Sequence, residues 1–141
     1  VDNVGRVTAS ELDDGCDGTP TRCTVATYDA AGNSLTTASD EDCDGTADAD
    51  CATMTYDADG NQTHWQIAYA CDGTADVCLE YTYDGDGNRL SERQDTGCDG
   101  SALRCTLNSY DARGNRIGEQ LDLGCDGTPD EGCGQSEYVC F

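Results

Sequence analysis

A phrase of about 27 residues recurs along the whole chain and constrains its fold more than any other feature. It is written most fully at residues 40–61. There an acidic run, Asp40-Glu41-Asp42-Cys43-Asp44-Gly45-Thr46-Ala47-Asp48, is followed by Cys51 and then by Tyr56-Asp57-Ala58-Asp59-Gly60-Asn61. Related copies surround Cys16, Cys71, Cys98 and Cys125. The tyrosines Tyr28, Tyr56, Tyr83, Tyr110 and Tyr138 stand 28, 27, 27 and 28 residues apart. A period of this size is the mark of stacked repeats, each one supersecondary unit. The expected organisation is a single repeat domain over residues 1–141, with repeats at about 1–27, 28–55, 56–82, 83–109 and 110–137, and residues 138–141 starting a sixth.

The register within the phrase is strict. Ten residues separate Arg6 from Cys16, Asn33 from Cys43, Asn61 from Cys71, Asn88 from Cys98 and Asn115 from Cys125. The step from the second cysteine of each copy to its tyrosine is always five. Only the cysteine loop varies: Cys16 to Cys23, Cys71 to Cys78 and Cys98 to Cys105 enclose six residues, and Cys43 to Cys51 and Cys125 to Cys133 enclose seven. Length variation belongs in exposed loops.

Between the cysteine loops the pattern is that of β-hairpins. Asp followed three residues later by Gly suits a type I turn whose Gly supplies the left-handed residue after it. The pairs are Asp2/Gly5 (a degenerate first copy), Asp29/Gly32, Asp57/Gly60, Asp84/Gly87 and Asp111/Gly114. Short β-forming runs flank each turn. Alternation places Ala52, Met54 and Tyr56 on one face of a strand, and Leu12, Leu35, Trp65, Ile67, Leu90, Ile117 and Leu121 share a parity in the return strands. The predicted fold is therefore all-β: a tandem array of five hairpin repeats of about 27 residues with disulfide-closed acidic loops along one edge.

Such a chain cannot rest on a large core. It has one Phe, one Trp and one Met among 141 residues, so it needs covalent or metal staples. Eleven cysteines supply the first kind and point to an oxidising, extracellular setting. Two pairings are open. Local closure would join the two cysteines of each loop, Cys16–Cys23 through Cys125–Cys133, leaving Cys140 alone; it is favoured because length variation is confined to that loop. A ladder joining equivalent cysteines of adjacent repeats is the alternative. The spacing does not suit zinc.

The second kind of staple is a hard cation. Asp40, Asp42, Asp44, Thr46 and Asp48 fall at alternate positions of a calcium loop, with Gly45 at the sharp turn. Cys51 stands where the closing glutamate of such a loop is expected. Thinner copies offer Asp122, Asp126 and Asp130; Asp13 and Asp17; Asp95 and Asp99; and Asp72 and Asp76. The competing reading is a solvated acidic turn in which Asp-Gly serves geometry alone. With 29 acidic against 7 basic residues the net charge is −22, and bound Ca²⁺ would relieve that self-repulsion.

The same charge excludes nucleic acid and anionic membrane surfaces as partners, since both require a basic face. No apolar run approaches the ~20 residues of a membrane span. The start at Val1 reads as a processed, mature segment. Catalysis is not expected. His64 is the only histidine, and no nucleophile–base device surrounds it. Asn61-Gln62-Thr63 is the one N-glycosylation sequon, and exposed Thr and Ser would accept O-linked sugar.

Four copies carry Tyr-Asp-x-x-Gly-Asn, at 28–33, 56–61, 83–88 and 110–115, with Arg89-Leu90 and Arg116-Ile117 following. They resemble the YD repeats of Rhs-type bacterial surface and secreted proteins. The acidic run resembles the aspartate-rich calcium loops of thrombospondin type 3 and dockerin-like repeats. The resemblance implies an extracellular β-hairpin array with a structural, adhesive or encapsulating role and no activity of its own. The cysteine pair around each acidic loop departs from that pattern.

Two functions compete on these grounds. One is a structural protein that assembles with itself, head to tail, into a fibre stiffened by disulfides and calcium. The other is a calcium-dependent surface adhesin that presents its strands or loops to carbohydrate. The fibre is favoured by phase. Val1 occupies the slot that Tyr138 fills, so residues 1–13 supply a return strand and 133–141 an outgoing strand. Joining them between molecules extends a strand array, joining them within one closes a ring, and a chain simply cut at a repeat boundary would show the same phase. An odd number of cysteines leaves Cys140 free, capped or bridged sideways.

Overall fold

The computed structural model describes residues 7–12 and 18–130. The first turn at Asp2/Gly5, the candidate ligands Asp13 and Asp17, and Cys16, Cys133, Tyr138 and Cys140 lie outside them. The described residues form nine strands and no helix. These are β1 (Val7–Leu12), β2 (Arg22–Tyr28), β3 (Ser34–Asp40), β4 (Ala49–Tyr56), β5 (Gln62–Ala68), β6 (Val77–Tyr83), β7 (Arg89–Thr96), β8 (Arg104–Tyr110) and β9 (Arg116–Leu123). The all-β hairpin repeat read from the sequence is what forms.

The chain divides into two compact units, Val1–Asp76 and Val77–Phe141. In the first, β1 to β5 pair antiparallel in sequence order. In the second, β6 to β9 do the same. Tight turns join β2 to β3, β4 to β5, β6 to β7 and β8 to β9, so in each unit the turns lie at one end of the strands and the acidic loops at the other.

The recurring Tyr-Asp-x-x-Gly-Asn phrase is explained by these turns. In the first, the amide of Asp29 donates to the carbonyl of Asn33 at 2.9 Å and that of Gly32 to the carbonyl of Asp29 at 3.1 Å. Gly32 has φ 97°, a conformation in which a side chain would be strained. The Asp29 carboxylate then takes three donors: the amides of Ala31 at 2.9 Å and Asn33 at 2.8 Å, and Asn33 Nδ2 at 2.9 Å. The same three bonds recur at Asp57/Asn61, Asp84/Asn88 and Asp111/Asn115. Asp opens the turn and Asn closes it through one shared carboxylate.

Each hairpin also carries a bulge beside its turn, between Thr27/Tyr28, Thr55/Tyr56, Thr82/Tyr83 and Ser109/Tyr110. The residue skipped on the return strand is Leu35, Thr63, Leu90 or Ile117. Here the structure departs from simple alternation. Leu35, Leu90 and Ile117 share the parity of Trp65 and Ile67, yet they are exposed, because an inserted residue bends the strand out of its pleat. Trp65 and Ile67 do face Met54 and Ala52 across β4–β5, as the alternation predicts.

Among the described residues no large side chain is fully buried, and the buried apolar residues are Ala26, Ala52, Ala68, Cys78 and Ala102. Packing of this kind removes little apolar surface from water. Four disulfides take over: Cys23–Cys43, Cys51–Cys71, Cys78–Cys98 and Cys105–Cys125, each spanning 20 residues with Cα–Cα separations of 5.0–5.3 Å. This corrects both pairings entertained from the sequence. The second cysteine of one loop joins the first cysteine of the next, across the base of a hairpin, so neither local closure nor a ladder of equivalent cysteines occurs. The reason is geometric. Cys43, Cys71, Cys98 and Cys125 adopt φ of 52–57°, which turns the chain back onto the hairpin just completed.

Candidate functional site: the acidic loops

Each acidic loop begins at the last residue of a return strand or close to it. In three hairpins the residue opposite the stapled cysteine is an aspartate: Cys23 faces Asp40, Cys78 faces Asp95 and Cys105 faces Asp122. These aspartates are 6%, 3% and 3% exposed. A buried carboxylate needs donors, and the loop supplies them. Oδ2 of Asp40, Asp95 and Asp122 accepts the amide of Gly45, Gly100 and Gly127, at 2.8 Å each time. Oδ1 of Asp40 and Asp122 accepts the amides of Asp44 and Asp126 at 3.2 Å. Oδ1 of Asp95 has no hydrogen-bond partner among the described residues. Burial pushes the Asp40 carboxyl up, but the amides of Gly45, Cys43 and Asp44 together outweigh it and hold it below the ordinary carboxylate range.

The fourth hairpin is the exception. Cys51 faces Ala68, which occupies the aspartate's place and is itself buried. Replacing Asp122 by Ala should therefore leave the Gly127 amide without its acceptor and cost about 1–3 kcal/mol. Chemical denaturation would measure it, and a variant as stable as the parent would contradict the assigned role.

The Asp of each Cys-Asp-Gly triplet has a different role. Asp44, Asp72, Asp99 and Asp126 accept the amide two residues on, from Thr46, Thr74, Ser101 and Thr128, at 2.8–2.9 Å. Asp126 also accepts the Thr128 hydroxyl, and this bond together with the Thr128 amide holds its carboxyl low. The loop exits are closed by Asp48, Asp76 and Asp130, which accept the amides of Glu41, Tyr69 and Leu123. The turn geometry that competes with a metal reading thus accounts for much of the acidity.

One loop goes further. Carboxylate oxygens of Asp40, Asp42 and Asp48 all lie within 4.8 Å of one another, and this is the one such acidic group among the described residues. Asp44 is not part of it, and Thr46 donates its backbone amide to the Asp44 carboxylate. Asp122, Asp126 and Asp130 do not converge in this way. The extra carboxylate at Asp42 distinguishes the 40–48 loop, since Cys-Asp-Gly is preceded by Tyr69-Ala70, Thr96-Gly97 and Leu123-Gly124 elsewhere. Sequence reasoning missed the split between buried tethering aspartates and exposed turn aspartates. The signal was available in the fixed three-residue step from Asp40, Asp95 and Asp122 to the following cysteine.

No family model matches the chain, and no curated protein matches it. Solved structures do: those titled "Crystal Structure of TcdB2-TccC3-Cdc42" and "Crystal Structure of TcdB2-TccC3-TEV" are each 18% identical over 85% of this chain, with TM-scores of 0.32 and 0.31. The chain spans 7% of the length of the chains it matches there. A TM-score of this size carries no argument about function. No helix among the described residues is long and apolar enough to cross a membrane.

Proposed function

We propose that this chain is an extracellular structural repeat protein that assembles with itself, head to tail, into a fibre, stiffened by its disulfides and by calcium. The observation that carries this reading is the identity of the repeat unit. Four hairpins share one turn, one bulge and one staple of constant span. Within each unit every strand pairs only with its sequence neighbours, so further hairpins continue the pattern without altering it. Molecules built this way extend by repetition, and a free β edge is a template for the next strand. The disulfides support an oxidising, extracellular location. We assign no reaction.

Calcium fits the 40–48 loop by chemistry. Asp40, Asp42 and Asp48 offer hard oxygen donors, and backbone carbonyls or water would complete the six to eight that Ca²⁺ takes. The test has two parts. Negative-stain microscopy of the purified chain should show filaments, and monodisperse particles at high concentration would refute assembly. Calorimetry of chelator-treated protein should show heat on adding Ca²⁺ and a higher Tm, with Asp42→Asn abolishing both. No heat in the parent would remove calcium from the reading and leave assembly standing.

The adhesin reading has one observation in its favour. A cleft on the second unit is lined by Leu107, Asn108, Ser109, Ile117, Glu119 and Gln120. Leu107 and Ile117 are exposed there beside amide and hydroxyl groups, a surface suited to a sugar ring. Binding to a glycan array by unassembled protein would favour it.

A further inference from the structure

Asp-Gly steps carry a chemistry of their own, because glycine puts no side chain in the way of a reaction between its amide nitrogen and the preceding carboxyl. Four of them lie in described Cys-Asp-Gly loops: Asp44-Gly45, Asp72-Gly73, Asp99-Gly100 and Asp126-Gly127. The four share their geometry. Each glycine has a φ of 87–96°, each pair is exposed, and each aspartate accepts the amide two residues on at 2.8–2.9 Å. They differ at the glycine nitrogen. The amides of Gly45, Gly100 and Gly127 donate to the buried carboxylates of Asp40, Asp95 and Asp122. Ala68 stands in that place for Gly73, whose amide has no hydrogen-bond partner among the described residues.

We propose that Asp72-Gly73 is a modification site, where the backbone isomerises through a cyclic imide to isoaspartate, and that the buried carboxylates hold the other three loops against the same reaction. The Gly73 nitrogen bonds to Cγ of Asp72 while the carboxyl hydroxyl leaves, taking up the amide proton to depart as one water. Water then adds back to the five-membered ring. Addition at Cγ restores aspartate, whereas addition at the backbone carbonyl leaves the chain running through Cβ and Cγ with the α-carboxylate as side group. One water is lost and one regained, so no oxidant or other co-reactant is needed. The nitrogen must surrender its proton to react. A charge-assisted bond to a fixed, buried carboxylate opposes that twice: it holds the proton, and its negative charge disfavours a second one developing beside it. Gly73 has neither restraint.

The remaining Asp-Gly steps are restrained in other ways. In the tight turns the amides of Gly60 and Gly87 donate to the carbonyls of Asp57 and Asp84, at 3.2 and 3.1 Å. At Asp84-Gly85 the carboxylate takes three donors, led by the Asn88 side-chain amide, which hold it below the ordinary range and so in its ionised, poorly electrophilic form. Asp14-Gly15 and Asp17-Gly18 begin outside the described residues. Isomerisation at Asp72 inserts one methylene into the backbone between Cys71 and Cys78, a segment that none of the four disulfides spans. It lengthens the connection between two hairpins and leaves the staples in place.

Peptide mapping tests this on the full chain, held at neutral pH over weeks with its disulfides intact, using fragment spectra that separate isoaspartate from aspartate. Asp72 should isomerise about tenfold or more faster than Asp44, Asp99 and Asp126, the factor that a hydrogen bond to a charged acceptor is worth. Ala68→Asp restores the missing acceptor and should slow Asp72 to the rate of the other three. Ala68→Leu fills the same place without an acceptor and should leave Asp72 fast. Conversely, Asp122→Ala should bring Asp126 up to the rate of Asp72, and this variant carries the test if Ala68→Asp does not fold. Thiol counting should show the four staples intact in every variant compared, which separates loss of the hydrogen bond from loss of the fold. Equal rates in all four loops of the parent, or no isoaspartate at Asp72, would overturn the inference. So would an Asp72 rate unmoved by Ala68→Asp, or slowed as much by Ala68→Leu. None of these outcomes bears on assembly or on calcium.

Discussion

Full reduction of the four disulfides under otherwise native conditions is expected to unfold the chain, seen as loss of the strand signal in far-ultraviolet circular dichroism. Among the described residues the buried apolar ones are four alanines and a half-cystine, so little hydrophobic free energy remains once the staples open. Closing a loop of this length contributes about 3 kcal/mol in the chain-entropy model. Four such loops together contribute about 12 kcal/mol, comparable with the ~5–15 kcal/mol by which whole domains are stable. Removing one staple, as in Cys51→Ser with Cys71→Ser, should cost about 3 kcal/mol and leave the other hairpins folded. A reduced chain that keeps its strand signal would show that turns and ladder bonds suffice alone.

Acidification is expected to produce the other large loss. Asp29, Asp57, Asp84 and Asp111 are each held below the ordinary carboxylate range, first by the side-chain amide of the turn asparagine and next by its backbone amide. A carboxyl depressed in the folded state binds fewer protons there than in the unfolded chain. Its stabilisation is therefore fully present above the ordinary Asp value of 3.8 and is lost as pH falls through the depressed folded values. Tm should be flat from about pH 7 to 5 and fall below about pH 4. Protonation also relieves the repulsion of a chain carrying net charge −22, which acts in the opposite direction. High salt screens that repulsion more than it screens the short turn bonds, so the fall should steepen with salt. Asn88→Ala removes the leading contribution at Asp84 and should flatten the profile; a Tm that rises toward pH 2.5 at high salt would contradict the turn mechanism.

Much of the fold was legible because its unit is local. Asp and Gly three apart, flanked by β-forming runs, specify a hairpin whose turn, register and bulge all lie within one repeat. The role of the turn asparagine was less visible, since Asn33 and its equivalents act through a carboxylate four residues back. The disulfides were misread for an instructive reason. Variable length between Cys43 and Cys51 suggests a closed loop. A covalent cross-link in a repeating sheet instead demands constant spacing, and the invariant interval runs from Cys23 to Cys43 and its equivalents. The candidate cation site was legible only as a pattern of acids. The sequence does not say which carboxylates are already occupied by backbone amides, and in these loops most of them are.

The placement of the staples also determines how the chain responds to being pulled. Each disulfide closes a loop of 20 residues that contains an entire turn, so tension along the backbone passes through the sulfur bridge and bypasses the hairpin. Each bridge withholds roughly 65–70 Å of extended chain from the stretching path. The slack left between bridges is the acidic segment alone, as from Cys43 to Cys51 or Cys71 to Cys78. A protease cutting in an Asp-x-x-Gly turn would leave the two pieces joined, whereas a cut between Cys43 and Cys51 would sever them. Between Cys23 and Cys125, extensibility and vulnerability are thus both confined to the acidic loops.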